Sequence, residues 1–218
     1  MLENLGYTFG FIIVIMARQQ LFTENTVTAV LPVMHNPTLG NVGLLMRLWS
    51  VVLAGNLIGT AVAAWAFNYM PIFDEPTRQA FVSIAEDVMK NSPTEMFANA
   101  IISGWLVATM VWMFPVAGAA KIVVIILMTA YRLAADTTHI VVGSVEILYL
   151  VFNGNLPGAT LSGRSPCRPA GNICGGTFIF ALLSHAQIRN DMSSKRKAEA
   201  RARAAEREKG RPGIKKAP

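Results

Sequence analysis

The chain contains 218 residues, of which 53% are apolar and 15% are charged, and it carries a formal net charge of +6. In an ordinary soluble domain about a quarter of the residues are charged. The low charged fraction and the high apolar fraction therefore exclude such a domain and indicate a membrane protein. The positive charge does not indicate nucleic-acid binding. It is concentrated after the last apolar segment, and no basic run with interleaved aromatic residues precedes it.

The charges divide the chain into two parts. Residues 188–218 hold 11 basic and 4 acidic residues and so a net charge of +7, whereas residues 1–187 hold 8 basic and 9 acidic residues and so a net charge of −1. Because positively charged segments stay in the cytoplasm, we predict a membrane domain over residues 1–187 and a basic cytoplasmic tail over residues 188–218. The acidic connection 70–95 and the start of the chain are then expected on the outer side of the bilayer.

The first two apolar segments are too short to cross a membrane separately. Residues 5–16 and 26–34 are apolar, but each has fewer than the roughly 20 residues that a transmembrane helix needs, and the polar segment 17–25 separates them. We therefore predict one crossing that is broken by a polar loop. The next apolar segment, residues 44–69, is long enough for an uninterrupted transmembrane helix.

The second half of the chain also contains a broken crossing. Residues 96–118 form an apolar segment of spanning length, and residues 122–152 are apolar but interrupted by polar residues at 131–139. Residues 171–185 form a last, short apolar segment. Broken helices in matching places of two halves indicate a site near the membrane midplane, because non-helical backbone at that depth lines a cavity or is buried in protein.

A short phrase occurs in both halves of the chain. It reads Gly55-Asn56-Leu57-Ile58-Gly59 and then Gly171-Asn172-Ile173-Cys174-Gly175. Glycines four apart let another backbone approach a membrane helix closely, and an asparagine in the same turn needs a hydrogen-bond partner in hydrocarbon. The phrase predicts a duplicated helical bundle. General helix packing without duplication is an equally open interpretation of this phrase alone.

The two predicted breaks contain the residues that we expect to act on a permeant. Thr23, in the first break, has a hydroxyl that both donates and accepts hydrogen bonds, although a capping threonine in an ordinary turn is the alternative. His139, in the second break, is an ionisable group inside the membrane and titrates near neutral pH, which suits proton exchange with a weak acid. A structural histidine with a satisfied hydrogen bond is the alternative.

Other residues near these breaks have two interpretations each. Leu21 and Phe22, beside Thr23, could form an apolar constriction that removes water from a permeant, or could simply pack in a turn. Lys121 could attract anions into a vestibule, or its charged end could extend to the membrane surface. The sequence leaves both alternatives open for Lys121.

The sequence offers no pattern for a metal site, a cofactor site or a catalytic centre. The three histidines, His35, His139 and His185, are far apart in the sequence, and no cluster of His, Cys, Asp and Glu has ligand spacing. Cys167 and Cys174 have neither metal-ligand spacing nor a disulfide framework. We therefore expect no bound metal, no cofactor and no enzymatic activity.

Several motifs occur in an order and spacing that resemble the formate/nitrite transporter family over about residues 5–185. They are Leu21-Phe22-Thr23, Trp49, Gly55-Asn56, Val111-Trp112-Met113, Lys121, His139 and Gly171-Asn172. The resemblance implies an all-α integral membrane protein with an aquaporin-like fold of six crossings in inverted repeats, the second and fifth broken. It also implies a homopentamer in the bacterial inner membrane, in which each protomer passes small monovalent anions or their weak acids.

The resemblance also implies roles for individual residues. By motif position, His139 corresponds to the family's central pore histidine and Thr23 to the threonine of its mobile loop. Leu21 and Phe22 belong to the same loop motif. Phe11 and Val107 fall where apolar pore constrictions are expected.

The chain departs from the family pattern at three single positions. Gln20 stands where members often carry an acid, Gly104 where they often carry an asparagine, and Asp136 where a glycine-aromatic-acid approach to the histidine is usual. These differences leave the identity of the permeant open. The first of the six crossings is also expected to be absent, since residue 5 already enters the second.

Two further departures suggest damage to the sequence. Residues 154–170 are polar and proline-rich where the family is apolar, and Tyr131-Arg132 falls at an expected apolar constriction. Arg132 at that depth would cost at least ~2.5 kcal/mol unless it is solvated in the pore. We interpret these stretches as local reading-frame or sequence errors. The alternative to a transporter is then a non-transporting membrane scaffold or a defective fragment.

Overall fold

The computed structural model of the chain describes residues 3–134, 140–158 and 167–188 and the single positions 190, 192 and 199. All regular elements within these residues are helices. The chain divides into two units, Met1–Ala181 and Leu182–Pro218. In the second unit residues 182–188 are helical, and most of the predicted basic tail lies outside the described residues.

The first unit begins with a helix that is broken near its middle, as predicted. Helices α1, α2 and α3 span Glu3–Met16, Phe22–Thr28 and Leu31–His35. The non-helical segment is residues 17–21, which is shorter than the predicted 17–25. Helix α1 ends where Arg18 adopts a left-handed conformation with φ of 55°. Leu21 is then extended, with φ of −110° and ψ of 130°, and directs the chain into α2.

The connection that we predicted as an outer loop contains a helix. Helix α4 spans Leu39–Tyr69, and α5 spans Glu75–Met89 within the acidic connection 70–95. Asp74 caps α5 by accepting a hydrogen bond of 3.2 Å from the Thr77 N–H. Hydrogen bonds from the side chain and then the backbone of Thr77 hold the pKa of Asp74 below its usual value. The search for apolar segments missed α5 because this helix is not apolar enough to cross a membrane.

The remaining helices complete the second half of the first unit. Helix α6 spans Pro93–Ala117, a 3₁₀ turn covers Gly118–Ala120, and α7, α8 and α9 span Lys121–Ala134, Ile140–Phe152 and Cys167–Ile173. A π-helical segment, Cys174–Ala181, continues α9. Helix α7 extends past the predicted start of the second break at 131, and residues 135–139 lie outside the described residues. The last apolar helix begins at Cys167 rather than at 171, and residues 159–166 of the atypical stretch 154–170 are likewise not described.

The lengths of the helices agree with membrane insertion. Among the described residues, two helical stretches are long and apolar enough to cross a bilayer, Leu39–Tyr69 and Pro93–Ala130. They confirm the spanning segments predicted at 44–69 and 96–118. The shorter apolar helices Gly6–Met16 and Ile140–Phe152 belong to the two predicted broken crossings.

Helix α6 packs against α9 and the π-helical segment at very short range. A Cβ atom added at Gly171 would lie 2.6 Å from Ala100 Cβ, and one added at Gly175 would overlap the Ile101 carbonyl oxygen. By contrast, a Cβ atom added at Gly55 or Gly59 would meet nothing within 4 Å. The second copy of the repeated phrase therefore forms a close helix contact within the chain, whereas the glycines of the first copy face open space.

Replacing Gly175 with alanine should destabilise the protein more than replacing Gly59. The added methyl group would overlap the backbone of α6, and such overpacking costs about 1–3 kcal/mol. The thermal unfolding midpoint in detergent measures the effect, with Gly59→Ala as the matched control. Equal midpoints for the two variants would contradict the close contact at Gly175.

Candidate functional site

The broken backbone between α1 and α2 is held by Asn56 of α4. The Phe22 N–H donates a hydrogen bond of 3.0 Å to Asn56 Oδ1, and Asn56 Nδ2 donates one of 3.1 Å to the Gln20 carbonyl. One amide side chain therefore satisfies a backbone donor and a backbone acceptor that the break removes from the helix. The sequence predicted that this asparagine needs a partner, and the structure identifies the partner as the first break.

A second contact from α4 reinforces the same break. Trp49, two turns before Asn56, donates its indole N–H to the Asn25 carbonyl over 3.0 Å. Asn25 Nδ2 in turn donates to the Leu21 carbonyl and to Gln20 Oε1, each over 3.1 Å. Hydrogen bonds therefore hold both the end of the break and the first turn of α2.

The Leu21-Phe22-Thr23 motif is buried in the protein. Leu21 is 7% exposed, Phe22 1% and Thr23 0%. Leu21 packs in a cluster with Phe11 and Val107, whereas Phe22 packs in a different cluster. The Thr23 carbonyl accepts a hydrogen bond of 2.7 Å from the Thr26 hydroxyl. The motif therefore presents successive side chains to two different parts of the bundle.

Phe11 and Val107, which the resemblance placed at constrictions, line one small cavity. Its volume is about 10 Å³, which is close to the space that a single water occupies. The cavity lies between α1, α6 and α7, and its other lining residues are Leu106, Met110, Met128 and Thr129. Beside it the hydroxyls of Thr8 and Thr129 share a hydrogen bond of 2.8 Å. The side chains around this point leave a narrow, mainly apolar space.

The second asparagine of the repeated phrase makes a different contact. Asn172 Nδ2 donates a hydrogen bond of 2.7 Å to the Ala100 carbonyl of α6. Asn172 Oδ1 is buried and has no hydrogen-bond partner among the described residues. The structure therefore shows Asn172 bound to a neighbouring spanning helix, while Asn56 binds the broken one.

The π-helical segment packs directly on α2. Thr177 donates its hydroxyl to the Thr26 carbonyl over 2.6 Å, and a Cβ atom added at Gly176 would overlap Thr26 Oγ1. Sequence reasoning did not identify this contact. The second glycine of Gly175-Gly176 could have indicated it, because a glycine leaves room for a neighbouring side chain. The second half of the chain therefore also packs against α2, the helix that follows the first break.

Lys121 lies at the edge of the apolar cluster that contains Leu21. Its ammonium nitrogen is 4.6 Å from the centre of the Phe114 ring, a cation–π contact, and Phe114 packs against the cluster. Lys121 begins α7 directly after the 3₁₀ turn, and its side chain is partly exposed. The structure therefore places a positive charge close to the apolar side chains around the break.

One predicted site residue and two of the departures from the family pattern lie outside the described residues. His139 and Asp136 lie outside the described residues, and so does the side chain of Arg132. Among the described residues no group of His, Cys, Asp and Glu has a metal-binding arrangement. The described residues therefore contain the first break and its surroundings, but not the second.

Sequence reasoning gave no role to two charged residues that lie wholly or partly inside the protein. Arg168, in the stretch interpreted as damaged, is 1% exposed and packs against Gly143 of α8. Glu24 directly follows Thr23, and its Oε1 atom is buried. Both residues lie in stretches that the sequence analysis took as polar, 17–25 and 154–170, so hydropathy gave no signal that they would be buried.

This geometry is accompanied by a family match over most of the chain. A family model described as formate/nitrite transporter matches residues 1–186. The chain therefore belongs to the formate/nitrite transporter family, as the motif order predicted, and it is an all-α protein embedded in the membrane.

A curated relative makes the relationship more specific. The inner membrane protein YfdC of Escherichia coli (strain K12) is 77% identical to the chain over 205 residues. The matched region covers 94% of this chain and 66% of the relative. The chain thus spans slightly less than two thirds of the length of the relative that it matches.

Replacing Asn56 with leucine should loosen the first break. The change leaves the Phe22 N–H and the Gln20 carbonyl without partners, and each such loss costs about 1–3 kcal/mol. We expect a lower thermal midpoint in detergent and faster trypsin cleavage after Arg18. Asn41→Leu is the control, because the Asn41 side chain bonds only the exposed Asn36 carbonyl among the described residues. Identical cleavage rates in both variants would show that Asn56 does not hold the break.

Proposed function

We propose that the chain forms a transmembrane pathway for small monovalent anions or their weak acids, with formate and nitrite as the first permeants to test. Family membership supports a transport role. The observation that carries the proposal is the non-helical backbone at 17–21, held in place by Asn56 beside a narrow apolar cavity. Non-helical backbone at membrane depth is buried in protein or lines a cavity, and the neighbouring cavity favours the second of these here.

The charges and apolar side chains suggest an order of events along the pathway. Lys121 attracts an anion towards the apolar cluster. Leu21, Phe11 and Val107 then form a constriction in which a hydrated ion loses its water, so the neutral acid passes more easily than the anion. Thr23 orients the permeant through its hydroxyl, and His139 exchanges a proton with it. The role of His139 rests on its position in the family motif.

We also propose an assembly and an orientation for the protein. The protein assembles as a homopentamer in the bacterial inner membrane, with the tail 188–218 in the cytoplasm. The apolar face of α4 supports the assembly, because Val51, Ile58 and Val62 are each at least 60% exposed beside the open Gly55 and Gly59. The basic composition of the tail supports the orientation.

Flux measurements in proteoliposomes test the pathway. Thr23→Val keeps the size of the side chain and removes its hydroxyl, and His139→Ala removes the proposed proton carrier. We expect each variant to slow formate uptake by roughly tenfold, the effect of losing about 1.4 kcal/mol of stabilisation in the rate-limiting step. Thr28→Val is the matched control, since Thr28 is an exposed threonine on the same helix α2.

The outcomes separate the proposal from its alternatives. Equal formate uptake by the wild type, Thr23→Val and His139→Ala would remove these residues from the pathway while leaving transport intact. Uptake by the wild type no faster than in empty liposomes would favour the non-transporting scaffold or the defective fragment. The mass of the complex in detergent provides the assembly readout, because a defective fragment is not expected to form a stable pentamer.

A further inference from the structure

Helices α4 and α8 end side by side at one surface of the membrane. The hydroxyl of Tyr69, the last residue of α4, donates a hydrogen bond of 3.0 Å to the carbonyl of Phe152, the last residue of α8. Trp65 and Tyr69 are exposed, and such aromatic residues collect where the hydrocarbon meets the polar headgroups. The shared end of the two helices therefore lies at the level of the lipid headgroups, and α5 packs against α8 beside it.

A polar cavity of about 240 Å³ lies at this end of the bundle, between α4, α5 and the end of α8. A single water needs roughly 10–15 Å³, so the cavity has room for a group of several heavy atoms. The polar residues of its lining are Asn68, Glu75, Arg78, Gln79 and Asn153. The cavity is therefore suited to a charged or strongly polar group.

The polar cavity contains a positive and a negative group that do not neutralise each other. Both Arg78 and Glu75 line it, yet no ion pair joins them in the described part of the chain. Arg78 donates three of its five N–H groups to backbone carbonyls at and after the end of α4, over 2.9 to 3.3 Å, which leaves two for a ligand. The exposed Glu75 carboxylate accepts one hydrogen bond of 3.3 Å from Gln79. The cavity thus offers a cation and an anion to the same ligand.

An apolar groove of about 190 Å³ continues from the polar cavity along α8. Its lining residues are Phe67, Phe81, Ile84, Val145, Glu146 and Tyr149. Tyr149 lines the polar cavity as well, and its ring packs on that of Phe81 with the centroids 5.8 Å apart. Ile84 is exposed, so the groove is open to surrounding hydrocarbon. The cavity and the groove together form one surface, polar at the helix ends and mainly apolar towards the membrane interior.

A phospholipid with a primary ammonium group has the chemistry that fits this surface. Its phosphate can accept hydrogen bonds from the two remaining N–H groups of Arg78. Its ammonium, two carbons away, can donate to Glu75, which is one turn from Arg78 on α5. An acyl chain can occupy the apolar groove. A headgroup with a phosphate alone would be repelled by Glu75, and a quaternary ammonium has no N–H group to donate.

We propose that the polar cavity and the apolar groove bind one molecule of phosphatidylethanolamine. The site is separate from the proposed pathway, because none of its lining residues belongs to the apolar cluster around Leu21. The bound lipid links α5 to the ends of α4 and α8. Because it binds the folded protein, it also raises the stability of that state by mass action.

Native mass spectrometry of the protein in detergent, titrated with single phospholipids, tests the headgroup part of the site. We expect the wild type to bind phosphatidylethanolamine roughly tenfold more tightly than phosphatidylglycerol or phosphatidylcholine, the effect of one hydrogen bond to a charged group. Glu75→Gln keeps the size of the side chain and removes the charge that the ammonium meets, so it should abolish this preference. Glu86→Gln is the matched control, since Glu86 is an exposed carboxylate on α5 that lines neither the cavity nor the groove.

The same titration with Ile84→Asp tests the groove. A carboxylate in the groove opposes an acyl chain, so this variant should bind all three phospholipids more weakly. Ile72→Asp is the control, because Ile72 is 53% exposed, against 54% for Ile84, and does not line the groove. Phosphatidylethanolamine should raise the thermal midpoint of the wild type and of Ile72→Asp, but not that of Ile84→Asp.

The outcomes decide the proposal without reference to transport. Equal binding of the three phospholipids by the wild type, or an unchanged preference in Glu75→Gln, would overturn it. If a neighbouring protomer fills the groove instead, Ile84→Asp lowers the mass of the assembly and leaves lipid binding unchanged, which also overturns it. The two variants alter opposite ends of the site, so a variant that fails to fold leaves the other as the test. Absence of formate uptake would not affect the lipid site.

Discussion

The hydrogen bonds from the Asn56 side chain to the first break are the interaction on which the rest of the site depends. Membrane hydrocarbon cannot hydrogen-bond to exposed backbone, so the protein itself must satisfy a non-helical segment at that depth. Asn56 does this with its donor and its acceptor together, at Gln20 and Phe22. The start of α2 is fixed by these bonds, and so the directions of Leu21 and Thr23 are fixed as well.

The asparagine and the glycines of the repeated phrase do different things. Asparagine satisfies backbone groups of a neighbouring element in both halves, at the first break for Asn56 and at Ala100 for Asn172. The glycines permit close approach only where a helix lies alongside, as α6 does at Gly175. At Gly59 no such helix is present within the described residues. The repeated phrase therefore predicts correctly that each asparagine bonds to the backbone of a neighbouring element. It does not predict whether the glycines beside it contact another helix.

Hydropathy and motif order predicted the membrane class, the two long spans and the first break, because these depend on local composition. Helix α5 was not predicted, because the search was for apolar segments long enough to cross a membrane. The sequence signal for α5 is instead the helix cap at Asp74. The contact between Thr177 and Thr26 was also not predicted, because it joins residues 151 positions apart. His139 remains a prediction, so the second break and its relation to the first rest on the sequence alone.

The start of α2 belongs both to the apolar cluster and to the hydrogen-bonded break. Leu21 packs with Phe11 and Val107, and the next residue, Phe22, donates its N–H to Asn56. Helix α2 is held at its first residue by Asn56 of α4 and one turn later by Thr177, which donates its hydroxyl to the Thr26 carbonyl. A displacement of α2 would therefore move Leu21 and Thr23 together. Because both side chains depend on one held helix, the width of the proposed constriction and the position of the Thr23 hydroxyl are expected to change together.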